Sequence, residues 1–264
     1  MGAVGRKFHF VVLAAQRKGV INPLAQAAGV SHKCLMPLAG KPLIEHTISA
    51  IAASEYCDKI SVSIEDNDVL KNVPIIRALM DEGRLRIIPS KDNLYESVTA
   101  ALSENQDFPA VITTADNVLL TPDMIEHFCS NAGDLDGAVA LVRKEVLLAK
   151  YPEGQKRFHK FRDGEISNCN VYGIFTPHAI DIAQVFREGG QFVKYPDRVL
   201  KAFGFINLIG YRFALFKVAD AIVRVGKRHG VNFAAVEMPF PEAPIDVDNE
   251  RTARIAEEIL IARQ

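Results

Sequence analysis

The chain contains no tryptophan, and its four cysteines, Cys34, Cys57, Cys129 and Cys169, stand far apart in 264 residues. That spacing excludes a disulfide framework and a cysteine-ligated zinc site, and it suits a reducing cytoplasm. An excess of charge is missing as well: 31 Lys and Arg against 32 Asp and Glu leave a formal net charge of −1. No whole-protein basic field exists to attract nucleic acid, so only local anion sites are expected. No apolar run approaches transmembrane length, no basic-then-apolar leader opens the chain, and position six lacks the Ser or Thr that myristoylation prefers. Secretion, anchoring and membrane contact are therefore not expected. Three catalytic signatures are absent too: a G-x-S-x-G elbow, a P-loop Lys-Ser/Thr and a His-x-x-x-His pair.

What is present is an apolar fraction of 48%, enough for a sizeable core. Short β-branched runs alternate with helical stretches up to about Arg143, the pattern of right-handed βαβ units and a mostly parallel, Rossmann-like α/β sheet flanked by helices. Strands are expected near Phe8 to Ala14, Ile60 to Ile64, Leu85 to Pro89, Ala110 to Thr114 and Gly137 to Val142. Helices are expected over Pro42 to Ala53, Val69 to Glu82, Leu94 to Glu104 and Pro122 to Ser130. After Tyr151 the pattern changes. Asp163-Gly164 predicts a β-hairpin, a meander added after the parallel sheet, and about 178–230 reads as a helical insertion. A strand over Asn232 to Met238 and an amphipathic helix over Asn249 to Arg263 close the chain. The expectation is a single domain over 1–264, in two halves that meet near residue 150. A homo-oligomer is left open.

The stretch from Val11 to Ile44 carries the most information. An apolar strand runs into a polar loop bearing Arg17, Lys18 and Lys33, then into a Gly-Lys-Pro turn that opens a helix. This places cations and backbone N–H groups at the carboxyl end of a buried strand, where open α/β sheets bind ligands; a polyphosphate is the natural guest. The segment resembles the opening of the MobA-like NTP transferase domains of the nucleotidyltransferase superfamily, which share a GT-A-like fold. The matching residues are Leu13, Ala14 and Ala15, then Lys33, Leu35, Pro37, Leu38, Gly40, Lys41 and Pro42, with Ala115-Asp116 and Ile245-Asp246-Val247-Asp248 further on. The resemblance does not reach the region from about Ile180 to Gly230. It also departs at the loop, where Gln16 and Lys18 stand in place of two glycines that would let backbone approach a phosphate.

The resemblance implies a Mg²⁺- or Mn²⁺-dependent nucleotidyltransferase that joins an NTP, CTP favoured, to a phosphorylated small molecule and releases pyrophosphate. Lys33, with Arg17, would be the catalytic cations at the α-phosphate. Leu13, Ala14, Ala15, Gln16, Lys18 and Asp116 would line the nucleotide, making 1–150 the nucleotide-binding half and 151–264 the acceptor-binding half. Asp116, emerging at the carboxyl edge of a strand, and Asp246 offer hard oxygen ligands of the kind Mg²⁺ takes. Asp248 is assigned instead to capping the last helix. Ser97 is set beside the base, by likeness to a cytidylyltransferase element, although its hydroxyl can equally serve its own helix. On the hairpin, Asn168, Asn170 and Tyr172 share one face by the two-residue period and could meet a hydroxyl-rich acceptor; Lys194 could hold the acceptor phosphate. Rival readings are a GT-A-type glycosyltransferase and a non-catalytic nucleotide-binding regulatory domain. A third takes the Phe-rich basic helices after Lys194 as a membrane-surface element.

Overall fold

Buried on both faces, the segment FHFVVL forms the central strand β1 (Phe8–Leu13) of an eight-stranded sheet. A computed structural model of the protein describes residues 5–16, 22–103, 107–186 and 204–264. After β1 come α1 (Pro23–Ala27), a 3₁₀ turn (Lys33–Leu35), the short ribbon of β2 (Pro37–Leu38) and β3 (Lys41–Pro42), α2 (Leu43–Ala52) and β4 (Cys57–Ile64). They are followed by α3 (Pro74–Asp81), β5 (Leu85–Pro89), α4 (Leu94–Ala101), β6 (Ala110–Thr114), α5 (Pro122–Ser130), β7 (Gly137–Arg143) and α6 (Lys144–Lys150). The remainder is β8 (His159–Phe161), β9 (Gly164–Ile174), a 3₁₀ segment (Pro177–Phe186), α7 (Phe205–Arg212), α8 (Val218–Arg228), β10 (Phe233–Glu237) and α9 (Glu250–Ala262).

The sheet order is β5-β4-β1-β6-β9-β7-β10, and every pairing is parallel except those of β9 with β6, β7 and β8. Mostly parallel sheets need cover on both faces, and alternation along β1 supplies it: Phe10 and Val12 join a cluster with Ile48, Ile76 and Phe128, whereas Val11 joins Val98, Ile182 and Val218. A third cluster, Met36, Leu38, Leu43, Ile245, Val247 and Ile259 among others, ties the 36–43 turn and the 244–248 segment to α9. Two distant parts of the chain are thereby held at one edge.

Two expectations need correction. The hairpin is not a meander added after the parallel sheet, because its second strand β9 inserts between β6 and β7. With 11 residues, β9 is long enough to pair β8 at its start, β7 along most of its length and β6 at its end, and it adds Cys169, Val171 and Ile174 to the core. A continuous helix from Val69 to Glu82 does not form either. Pro74 pushes Val73 out of the helical region (φ −85°, ψ 112°), so a 3₁₀ turn (Asn67–Leu70) precedes a shorter α3.

Candidate active site

Lys33 opens its 3₁₀ turn, where the Met36 N–H returns to the Lys33 carbonyl at 3.0 Å and the Leu43 N–H returns to the Met36 carbonyl at 3.0 Å. Asp116 follows the end of β6. The Ala115 N–H donates to the Leu13 carbonyl, which extends the parallel ladder one residue past Thr114 and delivers Asp116 to the carboxyl edge. Buried Thr47 then donates to the carbonyls of Ala115 and Asn117, while the Asn117 amide donates to Thr113 and to the Cys169 carbonyl. The Val247 N–H donates to the Asp116 carbonyl at 3.1 Å, so the Asp246-Val247-Asp248 segment is stitched directly to the β6 exit.

The result is a convergence of side chains from three parts of the chain. Lys33 Nζ donates to Asp116 Oδ2 and, at 2.9 Å, to Asp248 Oδ1. One oxygen from each of Asp116, Asp246 and Asp248 lies within 4.8 Å of the others. Thr114 Oγ1 steadies Asp116 by donating to its Oδ1 at 2.5 Å. Burial disfavours the Lys33 ammonium, but Asp116 and Asp248 outweigh that effect and hold its pKa above the ordinary lysine value. Asp246 moves upward to about 7, through burial first and then the charges of Asp248 and Asp116, against which Lys33 acts. Three hard oxygen donors drawn together beside Lys33 fit a divalent cation of the Mg²⁺ type.

Asp248 corrects the sequence assignment, for it caps nothing. Asn249 is the N-cap of α9, accepting the Thr252 N–H at 3.2 Å, and the Thr252 hydroxyl reaches back to complete a capping box. The Asn-x-x-Thr spacing is the signal that would have freed Asp248 for the site.

Asn170, Tyr172 and Asn168 lie on the less buried side of β9. Asn168 Nδ2 donates to the Tyr172 hydroxyl and to Asn170 Oδ1, and Asn170 Nδ2 donates to Asp246 Oδ2 at 2.7 Å. A relay of amides thus connects Tyr172 to the acidic cluster, and burial pushes the Tyr172 phenol up to about 12. Asn170 has φ +53° at a register shift against β7, a bulge that turns its amide toward Asp246. In this structure Asn170 therefore positions a candidate ligand.

Gln16, set where the resemblance calls for glycine, uses its side chain to hold the loop. Its Nε2 donates to the Ser31 carbonyl at 3.0 Å and its Oε1 accepts the Lys33 N–H at 3.3 Å. Its own N–H donates to the Glu65 carboxylate at 3.1 Å, and His32 Nε2 lies 3.1 Å from the same group. Neither the Gln16 tether nor Glu65 was legible from the motif. Leu13 and Ala14 end β1 and its ladder, with the Ala14 N–H donating to the Ser63 carbonyl; Ala15 is exposed beside them. Ser97 is buried and fully engaged, accepting the Lys91 N–H and donating to the Asn93 carbonyl, both at 2.9 Å. Its hydroxyl serves its own turn, the second of the two roles open to it. Lys41 is exposed and paired with Glu45. Arg17, Lys18 and Lys194 lie outside the described residues.

Comparison with known proteins adds to this geometry. The family model for the MobA-like NTP transferase domain matches residues 12–202. A 2-C-methyl-D-erythritol 4-phosphate cytidylyltransferase from Solibacter usitatus is 32% identical over 79 residues, which span 30% of this chain and 32% of that relative. Among solved structures, a hypothetical transferase from Thermus thermophilus superposes with a TM-score of 0.75 at 20% identity, covering 94% of this chain and 99% of the other. A 4-diphosphocytidyl-2C-methyl-D-erythritol synthase from Anaerococcus prevotii gives 0.59 at 12% identity (97% and 99% covered). A CMP:2-keto-3-deoxy-manno-octonic acid synthetase complexed with CTP gives 0.58 at 11% identity (98% and 100% covered). At such identities these structures establish a shared nucleotidyltransferase-type fold.

Proposed function

This chain belongs to the MobA-like NTP transferase domain family, and from that premise we propose that it transfers a nucleotidyl group from an NTP to a phosphorylated small molecule. The observation that carries the reading is the meeting of Lys33 with Asp116, Asp246 and Asp248 at the carboxyl edge of the sheet. CTP is the donor we favour, since similar proteins bear cytidylyltransferase and CMP-synthetase names.

In the proposed reaction an oxygen of the acceptor's phosphate attacks the α-phosphorus of the NTP. The bond from that phosphorus to the β-phosphate oxygen breaks, and pyrophosphate leaves with the electron pair. A phosphate monoester already carries nearly two negative charges at neutral pH, so no activated serine or cysteine is needed. Lys33, kept protonated by its carboxylate neighbours, offsets charge that gathers at the α-phosphate. Asp116 and Asp246, with Asp248 beside them, would hold Mg²⁺ or Mn²⁺, which when bound supplies charge neutralisation for the phosphates and the leaving group. Asn170 fixes the Asp246 carboxylate, and Gln16 fixes the backbone that presents Lys33.

Pyrophosphate release across a panel of four NTPs and phosphorylated acceptors is the test. Lys33→Ala and Asp116→Asn should each lose on the order of a hundredfold in turnover while staying folded; unchanged rates reject both roles. One observation favours a second reading, a nucleotide-binding regulatory domain without turnover: the Gln16 N–H, in the loop expected to cradle phosphates, is already occupied by Glu65. Nucleotide-induced stabilisation with no pyrophosphate under any acceptor would establish that reading instead.

A further inference from the structure

Helix α7 contains no acidic residue and turns much of its apolar surface outward. Phe205 is 65% exposed, Ile206 71%, Phe213 66% and Leu215 53%. Hydrogen bonds from the Phe213 N–H to the Ile209 carbonyl and from the Leu215 N–H to the Gly210 carbonyl fold the following turn back on the helix end, so these side chains belong to one surface. Single exposed apolar residues are ordinary, but a concentration of large ones within eleven positions marks a docking surface.

The charge around this patch identifies its occupant. From 204 to 231 the sequence has Arg212, Lys217, Arg224, Lys227 and Arg228 against Asp220 alone, in a chain whose net charge is −1. Arg212 lies over the Phe213 ring at 5.7 Å and Arg224 over the Phe216 ring at 4.5 Å. The hairpin brings further cations: the Arg162 N–H donates to the Phe216 carbonyl, and Phe161 and His159 pack on Tyr211 with Lys160 exposed between them. Apolar wedges rimmed by cations match a bilayer interface that carries negative headgroups. A second copy meeting this surface across a two-fold axis would set the cationic rims against each other, at an electrostatic cost. Among the described residues no helix is long and apolar enough to cross a membrane, so the contact lies on the surface.

We propose that α7 and the turn after it dock this protein on an anionic phospholipid surface. The whole-chain charge balance averages this local segregation away, whereas the Phe-rich basic stretch after Lys194 already offered a membrane-surface reading. The inference does not rest on the nucleotidyl-transfer reading. Co-sedimentation of the full chain with vesicles of phosphatidylcholine, alone or mixed equally with phosphatidylglycerol, tests it. Binding is expected to the mixed vesicles only, to weaken with salt, and to fall at least tenfold in a Phe205→Ser, Phe213→Ser double variant and in Arg212→Glu. Melting temperature and NTP-induced stabilisation serve as controls and should match those of the parent chain. The proposal is overturned by absence of sedimentation with the mixed vesicles, by binding that the variants leave intact, or by a concentration-dependent dimer in sedimentation equilibrium that the double variant dissociates.

Discussion

Asp246 shows how a single residue can link stability to the requirements of a site. Its pKa near 7 means that the folded chain holds a proton which the unfolded chain, ionising near 4, releases between about pH 4 and 7. Folding stability due to this group is therefore greatest at low pH and is lost as pH rises through that window. Asp246→Asn, whose amide oxygen can still accept from Asn170, should raise metal-free stability at pH 8 by on the order of 2 kcal/mol and leave it unchanged at pH 4. Thermal unfolding against pH measures this, and an equal shift at both pH values would reject the assignment. Gln16 acts differently, through the backbone of Lys33. Gln16→Ala should reduce turnover about tenfold with little change in melting temperature, because Ser31 and Lys33 lose their tether; a matching fall in stability would instead mark Gln16 as a folding residue. At this scale the motif singled out Lys33, Asp116 and Asp246, which the structure brings together, since strand-end and turn positions can be counted along the chain. Asp248 and Glu65 were not legible, because each takes its role from a partner far away in sequence.

Secondary-structure elements hold these residues by means of their ends. α9 begins with the Asn249–Thr252 capping box, and Thr252 Oγ1 also accepts the Asp248 N–H at 3.1 Å. Asn249→Ala should cost about 1 kcal/mol of global stability, read from the denaturant midpoint, and should weaken Mg²⁺ binding through the freed Asp248 segment. A loss of stability with unaltered Mg²⁺ affinity would confine the cap to folding. The expected β1, β5, β6 and α5 agree with the observed elements to within a residue, because uninterrupted apolar runs and a first-turn proline are local signals. The helix over Val69 to Glu82 failed through Pro74, and α6 went unread because only seven residues separate the end of β7 from Tyr151. The location of β9 could not be read at all. Strand order is decided by which gap in the sheet a strand fills, and the alternation of β9 fits an edge or an interior position equally well.

Across the molecule, the end of the sheet opposite the site is held by a buried charge network. His9 and Asp107 are fully enclosed, with Asp107 taking Lys59 at 2.9 Å and Arg86 at 3.0 Å while His9 Nε2 meets the Ser61 hydroxyl at 2.7 Å. Burial dominates His9 and lowers its pKa to about 4, so the unfolded chain binds the extra proton between about pH 6.5 and 4. Stability from His9 is thus present above pH 6.5 and lost as pH falls toward 4, opposite in sign to the trend of Asp246. The parent protein should show a shallow stability profile across this range, and Asp246→Asn should expose a steep acid-side loss on the order of 3 kcal/mol. Denaturant titrations at pH 7 and pH 4 check it, and a flat profile in the variant would remove His9 from the account.

Sequence alone determined the class of this fold and singled out Lys33, Asp116 and Asp246, which the structure brings to one edge of the sheet. Apolar periodicity, turn residues and strand-end positions all act within a few residues of one another. The tertiary structure decided that β9 lies between β6 and β7, that Asp248 joins Lys33 instead of capping α9, and that Glu65 takes the Gln16 N–H. Each of these outcomes depends on which distant segments are neighbours in space, and hydrophobic burial and hydrogen-bond satisfaction settle that only when the whole sheet has assembled.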